Sequence, residues 1–176
     1  MKLHVSRFAA MLETDRPLPE VPDRAPSVVE VAIASNVAGL VTDGDTIQTG
    51  VGSLPGAVLS ALSNHRDLGL HSGMISDGVV SLIDKGVLTG ARKEIDTGVL
   101  VTGAALGTSA LYDRLADLPI EFRPASYTHA PSVLSQLRNL VAINSAIEVD
   151  LTGQVGAETR GESYVGAVGG QVDFCR

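Results

Sequence analysis

Cysteine and positive charge are both scarce in this sequence. Cys175 is the single cysteine, which excludes an internal disulfide and a cysteine-cluster metal site. Lysine and arginine number 13 against 20 aspartates and glutamates, so the formal net charge is -7. Nucleic acids and anionic membranes bind basic protein surfaces, so this balance argues against both as partners.

Long hydrophobic runs are also missing. No stretch approaches the ~20 apolar residues of a membrane-spanning helix. Residues 1–12 place Lys2, His4 and Arg7 among their apolar neighbours, so they lack the uninterrupted apolar core of a signal peptide. With neither signal in the sequence, we expect a cytoplasmic protein by default.

The composition that remains is that of a folded domain. Hydrophobic residues make up 44% of the 176 residues, which is typical of a globular protein. A chain of this length suits one domain that buries roughly 70% of its unfolded surface. We place an N-terminal segment with a proline-rich linker at 1–26 and the domain at 27–176. A short strand is predicted at 3–12, and the prolines between 15 and 26 predict an extended linker, because proline fixes φ and removes a hydrogen-bond donor.

Apolar segments of two periodicities alternate along the domain. Ser27 and Glu30 have the spacing of a capping box at the start of the first predicted helix. Apolar, β-branched runs alternate with helical patterns as far as residue 140, which predicts an α/β fold with a mainly parallel sheet flanked by helices. Helices are predicted at 28–41, 57–62, 79–85, 109–115 and 131–137, and strands at 46–49, 68–70, 99–103, 120–123, 140–145 and 147–151, the last pairing in a hairpin with 154–158.

Residues 68–78 hold the pattern around which the chain is organised. An apolar run breaks at His71, and a second apolar pattern opens at Asp77, a possible N-cap. In open α/β sheets, ligands bind at the carboxyl ends of strands, where such a loop lies. We therefore expect chemistry between His71 and Ser76, although Gly73 has no side chain to supply it.

A second candidate loop follows the strand predicted at 46–49. This loop, residues 50–56, contains Gly50, Gly52 and Gly56 and comes before the helical pattern at 57–62. Pro55, near its end, suits the first turn of a helix. Glycines let a backbone approach a ligand, and a helix N-terminus favours an anion. The spacing is neither a full dinucleotide motif nor a P-loop. A plain strand-to-helix turn and a loop that binds phosphate or carbonyl groups both remain open.

Five segments match one known family when they are taken together: 15–19 (DRPLP), 48–55 (QTGVGSLP), 68–78 (LGLHSGMISDG), 143–155 (INSAIEVDLTGQV) and 169–174 (GGQVDF). They resemble the acetyl-CoA hydrolase/transferase family, which includes 4-hydroxybutyrate and butyrate CoA-transferases. The resemblance implies the NagB/RpiA/CoA-transferase type of fold. The family has two related α/β domains, and this chain is similar to most of the second. It is therefore expected to be truncated at its C-terminus and to need a missing first domain or a homo-oligomeric partner.

The resemblance implies a covalent mechanism of CoA transfer. In the family, a glutamate attacks the acyl-CoA thioester, an anhydride forms, and CoA attacks it to give a glutamyl-CoA thioester. A second carboxylic acid then takes the CoA. Backbone N–H groups would hold the developing oxyanion. The family reads His-Thr-Glu-Met where this chain has His71, Ser72, Gly73 and Met74, so Gly73 occupies the position of the nucleophile.

The resemblance also implies a CoA-binding surface. The family's CoA-contacting loops correspond to 48–52 and 169–171. The implied substrates are CoA or acyl-CoA and a small carboxylic acid, with no metal and no covalently bound cofactor. The implied CoA-binding residues are Gln48, Thr49, Gly50, Val51, Gly52, Gly169, Gly170 and Gln171.

Other side chains could act in place of the glutamate. His71 is either a general base acting on water or a structural histidine with satisfied hydrogen bonds. Glu158 and Glu148 are either acidic replacements for the nucleophile or polar positions on strands. Ser72 would need a base within hydrogen-bond reach, and Asp77 fits a helix cap better than a catalyst.

Three functions remain open on these grounds. The leading one is acyl-CoA binding, with CoA transfer between carboxylic acids in a full-length enzyme. The first alternative is hydrolysis of acyl-CoA. The second is a catalytically inactive binding or assembly module, since residue 73 is glycine.

The C-terminal sequence generates an expectation about association. Residues 172–174 end as if a strand began there, and the linker at 15–26 has little chain before it. Exposed apolar patches and open sheet edges recruit partners. We predict that the chain dimerises, aggregates or needs a partner segment. A monodisperse monomer in analytical ultracentrifugation, with one cooperative calorimetric transition, would contradict this.

Overall fold

Five strands form the centre of the structure, a computed structural model that describes residues 4–22, 24–166 and 169–175. The strands are β1 (Thr46–Thr49), β2 (Gly69–Ile75), β3 (Leu100–Ala105), β4 (Ile120–Phe122) and β5 (Leu140–Ile143). They pair in the order β4-β3-β2-β1-β5, and every pair is parallel. The predicted α/β fold with a mainly parallel sheet is confirmed.

Short helices connect and cover these strands. The first begins at the predicted capping box, where Ser27 Oγ accepts the Glu30 N–H at 3.2 Å and the Glu30 carboxylate accepts the Ser27 N–H at 2.7 Å. The helices are α1 (Val28–Ala38), α2 (Ser53–Ala61), α3 (Asp77–Asp84), α4 (Ser109–Arg114), α5 (Ala125–Thr128), α6 (Pro131–Leu134) and α7 (Gln171–Phe174), with 3₁₀ turns at Val5–Arg7 and Leu62–Asn64.

The main hydrophobic core unites the central strands with the first three helices. Ile47 in β1, Leu70 in β2 and Leu100 in β3 are completely buried, as expected for parallel strands covered on both faces. Leu59 of α2 and Leu82 of α3 belong to the same cluster. This core holds β1 and β2 side by side, with their carboxyl ends at one edge of the sheet.

Strand β2 is longer than the sequence predicted. It covers Gly69–Ile75, so the predicted break at His71 is wrong. The apolar run was an incomplete signal because the sheet also buries the polar residues His71 and Ser72 completely. Gly73 lies against Gly103 of β3, since a Cβ atom on Gly103 would come within 2.8 Å of the Gly73 carbonyl oxygen.

Asp77 does not cap helix α3 as predicted. Ser76 is the N-cap residue, and Asp77 is the first residue of the helix. The Asp77 carboxylate instead accepts hydrogen bonds from Thr108 N at 3.1 Å and Thr108 Oγ1 at 2.7 Å. These bonds join the start of α3 to the start of α4, and the acidic group still complements the helix dipole.

The N-terminal segment lies along the domain. Residues Val5–Arg7 form a 3₁₀ turn, so the strand predicted at 3–12 is wrong over the part that the structure describes. These residues are exposed, so burial of their apolar side chains does not stabilise an extended strand there. The proline-rich part is held against α4, because Val21 N donates to Gly107 O and Tyr112 OH donates to Pro19 O, both at 2.9 Å.

The C-terminal segment is helical and not extended. Helix α7 carries Phe174 into a small apolar cluster with Leu134 and Leu137. The strand predicted to begin at 172–174 is therefore wrong. One helical turn is enough to bury the aromatic ring while Val172 stays exposed.

Two short hairpins lie between β5 and α7. The predicted pairing of 147–151 with 154–158 is present in shorter form as β6 (Glu148–Val149) and β7 (Val155–Gly156). A second pair, β8 (Thr159–Arg160) and β9 (Ser163–Tyr164), follows it. Among the described residues, no helix has the length and apolar character needed to cross a bilayer.

A buried lysine packs beneath the start of β2. Lys93 is 3% exposed, and its Nζ donates to Val99 O at 2.8 Å. A Cβ atom on Gly69 would come within 2.6 Å of Lys93 Cγ, so the glycine makes room for the lysine chain. Burial lowers the pKa of Lys93 from its ordinary value of 10.5 to about 8, against a smaller opposing effect of Asp96.

This lysine predicts a dependence of stability on pH. At a pH between the pKa of Lys93 in the folded chain and its pKa in the unfolded chain, the unfolded chain holds a proton that the folded chain has released. The contribution of Lys93 to the free energy of unfolding therefore rises with pH. From about pH 7.5 to about pH 9.5, the free energy of unfolding should rise by about 2 kcal/mol more for the wild type than for Lys93→Met. Urea unfolding measures this difference. Exposed Lys85 provides the control Lys85→Met, and equal pH slopes for all three proteins would contradict the prediction.

Candidate functional site

The candidate site is a cavity of about 380 Å³ at the carboxyl ends of β1 and β2. The ends of neighbouring parallel strands are where open α/β sheets bind ligands. Segments that are far apart in sequence meet here. The cavity is lined by Gln48, Thr49, Gly50, Val51, Gly73, Met74, His129, Asn144, Gly170, Gln171 and Phe174.

A pair of side-chain amides forms one wall. Gln48 at the end of β1 donates through Nε2 to Asn144 Oδ1 at 3.3 Å, and Asn144 donates through Nδ2 to Gln48 Oε1 at 2.8 Å. Gln48 is nearly completely buried, so the reciprocal bonds satisfy polar groups that would otherwise be left unpaired. Asn144 was not singled out from the sequence as a site residue, although it belongs to the segment 143–155.

The loop after β1 turns sharply into α2. Gly52 is the N-cap residue of this helix with φ of 115°, a conformation that other residues rarely adopt. The helix begins at Ser53, earlier than the predicted start at residue 57. Of the predicted loop residues, Gln48 to Val51 line the cavity, whereas Gly52 shapes the turn behind it.

A polar cluster holds the start of α2. Ser53 Oγ donates to the Glu30 carboxylate at 2.6 Å, and Arg24 donates to both Ser53 Oγ and Glu30 at 2.8 Å. The hydrogen bond from Ser53, followed by those from Ser27, lowers the pKa of Glu30 to about 2. The linker and α1 therefore fix the start of α2, which follows the loop that lines the cavity, while Arg24 and Ser53 themselves line a different cavity.

Ser72 has a structural role in the sheet. Its Oγ lies 2.8 Å from the carbonyl oxygens of Thr49 and Met74, and its side chain is completely buried. The hydroxyl proton is committed to one of these carbonyl groups. The geometry therefore joins β2 to β1 and does not present a free nucleophile to the cavity.

His71 is also structural in this geometry. Its ring is completely buried, and Nε2 donates to Thr128 O at 3.1 Å while Nδ1 has no partner among the described residues. Burial lowers the pKa of His71. Because the ring does not line the cavity, the structural interpretation is favoured over a general base.

The space beside Gly73 is filled by another histidine. A Cβ atom on Gly73 would lie 2.9 Å from both Cε1 and Nε2 of His129, and 3.7 Å from Phe174 Cε2. Gly73 is not among the residues with positive φ, so its backbone would tolerate other residues. The imidazole of His129 and a side chain at residue 73 therefore compete for one space.

His129 is the functional candidate that sequence reasoning missed. It follows α5, where Nδ1 lies 2.8 Å from Thr128 Oγ1 and the ring packs on Phe174 with centroids 4.7 Å apart. Nothing in the local sequence distinguishes it, because α5 and α7 bring it to β2 only in the folded chain. A metal-binding motif that included His129 would have been a signal in the sequence. The described residues contain no cluster of side chains suited to a metal.

The remaining predicted residues divide between the cavity wall and positions away from it. Gly169 is exposed and does not line it, while Gly170 and Gln171 do. Glu158 sits at a turn, where its carbonyl oxygen accepts the N–H groups of Val165 and Gly166. Glu148 is exposed on β6. Neither glutamate is among the lining residues.

A second cavity of about 290 Å³ adjoins the first. Both include Gly73 and His129, which separate them. Arg123 lies in its wall, where its guanidinium donates to Glu121 at 2.9 Å and stacks over Tyr127 at 5.0 Å from the ring centroid. The carboxylates around Arg123 offset its charge, so this side is not strongly basic.

A larger cavity, of about 630 Å³, lies elsewhere. It lies between α1 and α2, and its walls combine small apolar residues with the polar side chains of Arg24, Ser35, Ser53 and Ser60. Specific ligand sites combine an apolar surface with a few convergent polar groups. Both cavities meet this description, and the smaller one is favoured by its position at the carboxyl ends of parallel strands, where open α/β sheets bind ligands.

These features define an α/β domain with a parallel sheet and a cavity at its strand ends, and comparisons with known proteins identify its family. Residues 107–176 match the family described as "Acetyl-CoA hydrolase/transferase C-terminal domain". The chain is 42% identical over 175 residues to 4-hydroxybutyrate coenzyme A transferase of Clostridium kluyveri, covering 99% of this chain and 41% of the relative. It is 41% identical over 176 residues to succinyl-CoA:acetate/propanoyl-CoA:succinate CoA transferase of Fasciola hepatica, covering 99% and 37%.

Solved structures agree with the sequence matches. The crystal structure of RipA from Yersinia pestis superposes with a TM-score of 0.87 at 37% identity, covering 98% of this chain and 38% of that one. The chain belongs to the acetyl-CoA hydrolase/transferase family. It spans about two fifths of the length of the relatives that it matches.

The crowding at residue 73 predicts an energetic coupling. Gly73→Glu should destabilise the protein by about 1–3 kcal/mol because the new side chain meets the His129 ring, which Phe174 and Thr128 hold in place. In a His129→Ala background, this loss should shrink by at least about 1 kcal/mol. Urea unfolding of both single variants and the double variant measures the coupling.

Gly169→Glu provides the matched control. Among the described residues outside its immediate chain neighbours, no atom lies within 4 Å of a Cβ at that glycine, so this variant should be close to neutral in stability. An equal loss for Gly73→Glu in both backgrounds would show that His129 does not occupy the space in question.

Proposed function

We propose that the cavity at the ends of β1 and β2 binds CoA and its thioesters. The observation that carries the proposal is convergence: the segments 48–51 and 170–171 lie far apart in sequence and line one cavity together with Gly73. In the full-length context, the domain would serve an enzyme that moves CoA between carboxylic acids.

The chemistry of the walls suits the thiol end of CoA. The Gln48–Asn144 amides face a ligand that carries amide groups of its own, and Val51 and Phe174 supply apolar surface. The glycine loop permits close approach of a ligand to the backbone. Pockets with mostly apolar walls and a few fixed polar groups are the usual form of small-molecule sites.

The relatives suggest the class of the second substrate. Their names refer to 4-hydroxybutyrate, succinate, acetate and propanoyl groups, so we propose a small carboxylic acid as acceptor. The chain corresponds to part of each relative, and we propose that a first domain or a second copy completes the site for CoA transfer to the acceptor acid. The compartment that we propose is the cytoplasm.

The alternatives differ in what they require for turnover. Transfer by the family's route needs a carboxylate at residue 73, which is glycine here, so a transferase would rely on another nucleophile. A hydrolase would release CoA without an acceptor acid, and an inactive module would release none. Assays of thioester turnover with and without acetate separate the three.

The binding proposal predicts a charge effect at Val51. Val51 supplies apolar surface where the uncharged thiol end of CoA would lie, so Val51→Glu and Val51→Lys should each weaken the affinity by about 1 kcal/mol, or roughly fivefold, because each places a charge against that end. Titration calorimetry with free CoA measures both dissociation constants. The two variants change the same residue and differ in the sign of the introduced charge, so each is the control for the other.

Val29→Glu supplies a further control, because Val29 is exposed on α1 and away from the cavity. The same CoA affinity for Val51→Glu, Val51→Lys and the wild type would exclude this loop as the site. A loss of affinity in Val29→Glu equal to that in Val51→Glu would point to a general electrostatic effect.

A further inference from the structure

We propose that, beside the CoA transfer proposed for the full-length enzyme, this cavity hydrolyses CoA thioesters, with His129 as the general base that directs water onto the thioester. The inference rests on the proposed binding of CoA thioesters in the cavity. It assigns the catalytic role to a residue in the connection between β4 and β5, whereas residue 73 lies in β2.

The first support is position. His129 places Cε1 and Nε2 where the Cβ of a residue at 73 would otherwise project. A side chain at residue 73 faces the cavity from the carboxyl half of β2. The imidazole therefore offers a basic nitrogen in the same part of the cavity in which a side chain at residue 73 would lie.

The second support is orientation. The ring is held on one side by Thr128 Oγ1, 2.8 Å from Nδ1, and on the other by Phe174. Thr128 is itself completely buried, so the anchor is fixed. When Nδ1 donates its proton to this hydroxyl, the lone pair is on Nε2, the nitrogen that lies beside residue 73.

The third support is access. His129 is partly exposed and lines both cavities, and Nε2 has no hydrogen-bond partner among the described residues. His71 is on the same strand as Gly73 but is completely buried. Nε2 of His129 lies beside Gly170 as well as Gly73, and His129 lines the cavity in which the thioester is proposed to bind, whereas His71 does not.

The step is a balanced hydrolysis. Nε2 of His129 takes a proton from water as the water oxygen forms a bond to the thioester carbonyl carbon. The C–S bond then breaks, and the imidazolium returns the proton to the departing CoA sulfur. Water is consumed, the products are a carboxylic acid and the CoA thiol, and His129 is neutral again. Imidazole is the commonest group for this role.

The test measures thiol release from butyryl-CoA by the 176-residue chain without an acceptor acid. His129→Gln and His129→Asn should each lose about 100-fold or more in turnover, the usual range for removal of a general base. Their dissociation constants for CoA, from titration calorimetry, should stay within about threefold of the wild type. His4→Gln, on the exposed N-terminal turn, should behave as the wild type does.

Chemical rescue separates a catalytic role from a structural one. His129→Ala leaves a space beside Gly73, and added imidazole should restore part of its lost turnover, which a residue with only a packing role would not show. An acyl adduct on His129 in intact mass spectra would overturn the general-base assignment, because it would mark a nucleophile.

The outcomes distinguish this inference from the proposed function. Wild-type turnover by a folded His129→Gln or His129→Asn variant overturns the role of His129. A wild-type chain that binds CoA but releases no thiol also overturns it and leaves the binding function standing. A chain that does not bind CoA overturns the proposed function itself.

Discussion

His129 can lie against strand β2 only because residue 73 has no side chain. A Cβ atom at this position would come within 2.9 Å of two ring atoms of the histidine, which is closer than packed atoms allow. The same strand end is also close to β3, where Gly103 lies against the Gly73 carbonyl oxygen. Any larger residue at 73 would therefore have to move His129, and with it the ring of Phe174 that packs on it.

Buried polar groups hold the strands around this contact. Ser72 joins β2 to β1 through a backbone carbonyl, the amides of Gln48 and Asn144 join β1 to the segment after β5, and His71 joins β2 to α5. Satisfied polar groups of this kind fix one arrangement of a core. These hydrogen bonds explain why Ser72 and His71, which do not line the cavity, have structural roles. The shape of the cavity depends on these buried side chains as well as on its lining.

The sequence predicted the architecture better than the reactive group. Alternating apolar patterns predict the parallel sheet, and the family resemblance predicts that the Gln48 and Gly170 segments share one site, where the structure has both of them lining one cavity. Local sequence patterns gave wrong predictions where a residue is buried by segments distant in sequence. His71 was predicted in a loop, although the sheet buries it. Helix α7 looked extended because its apolar residues do not reveal which face Phe174 buries. His129 could not be found in this way, since only the fold brings it to Gly73.

A crystal structure with CoA bound is the most direct measurement of where the thioester lies. The thiol sulfur should occupy the cavity at the ends of β1 and β2, within about 5 Å of His129 Nε2 and beside Gly73, a separation that leaves room for one water molecule. CoA seated instead in the groove of about 630 Å³ between α1 and α2, with the cavity beside His129 unoccupied, would contradict both the binding site and the role of the histidine.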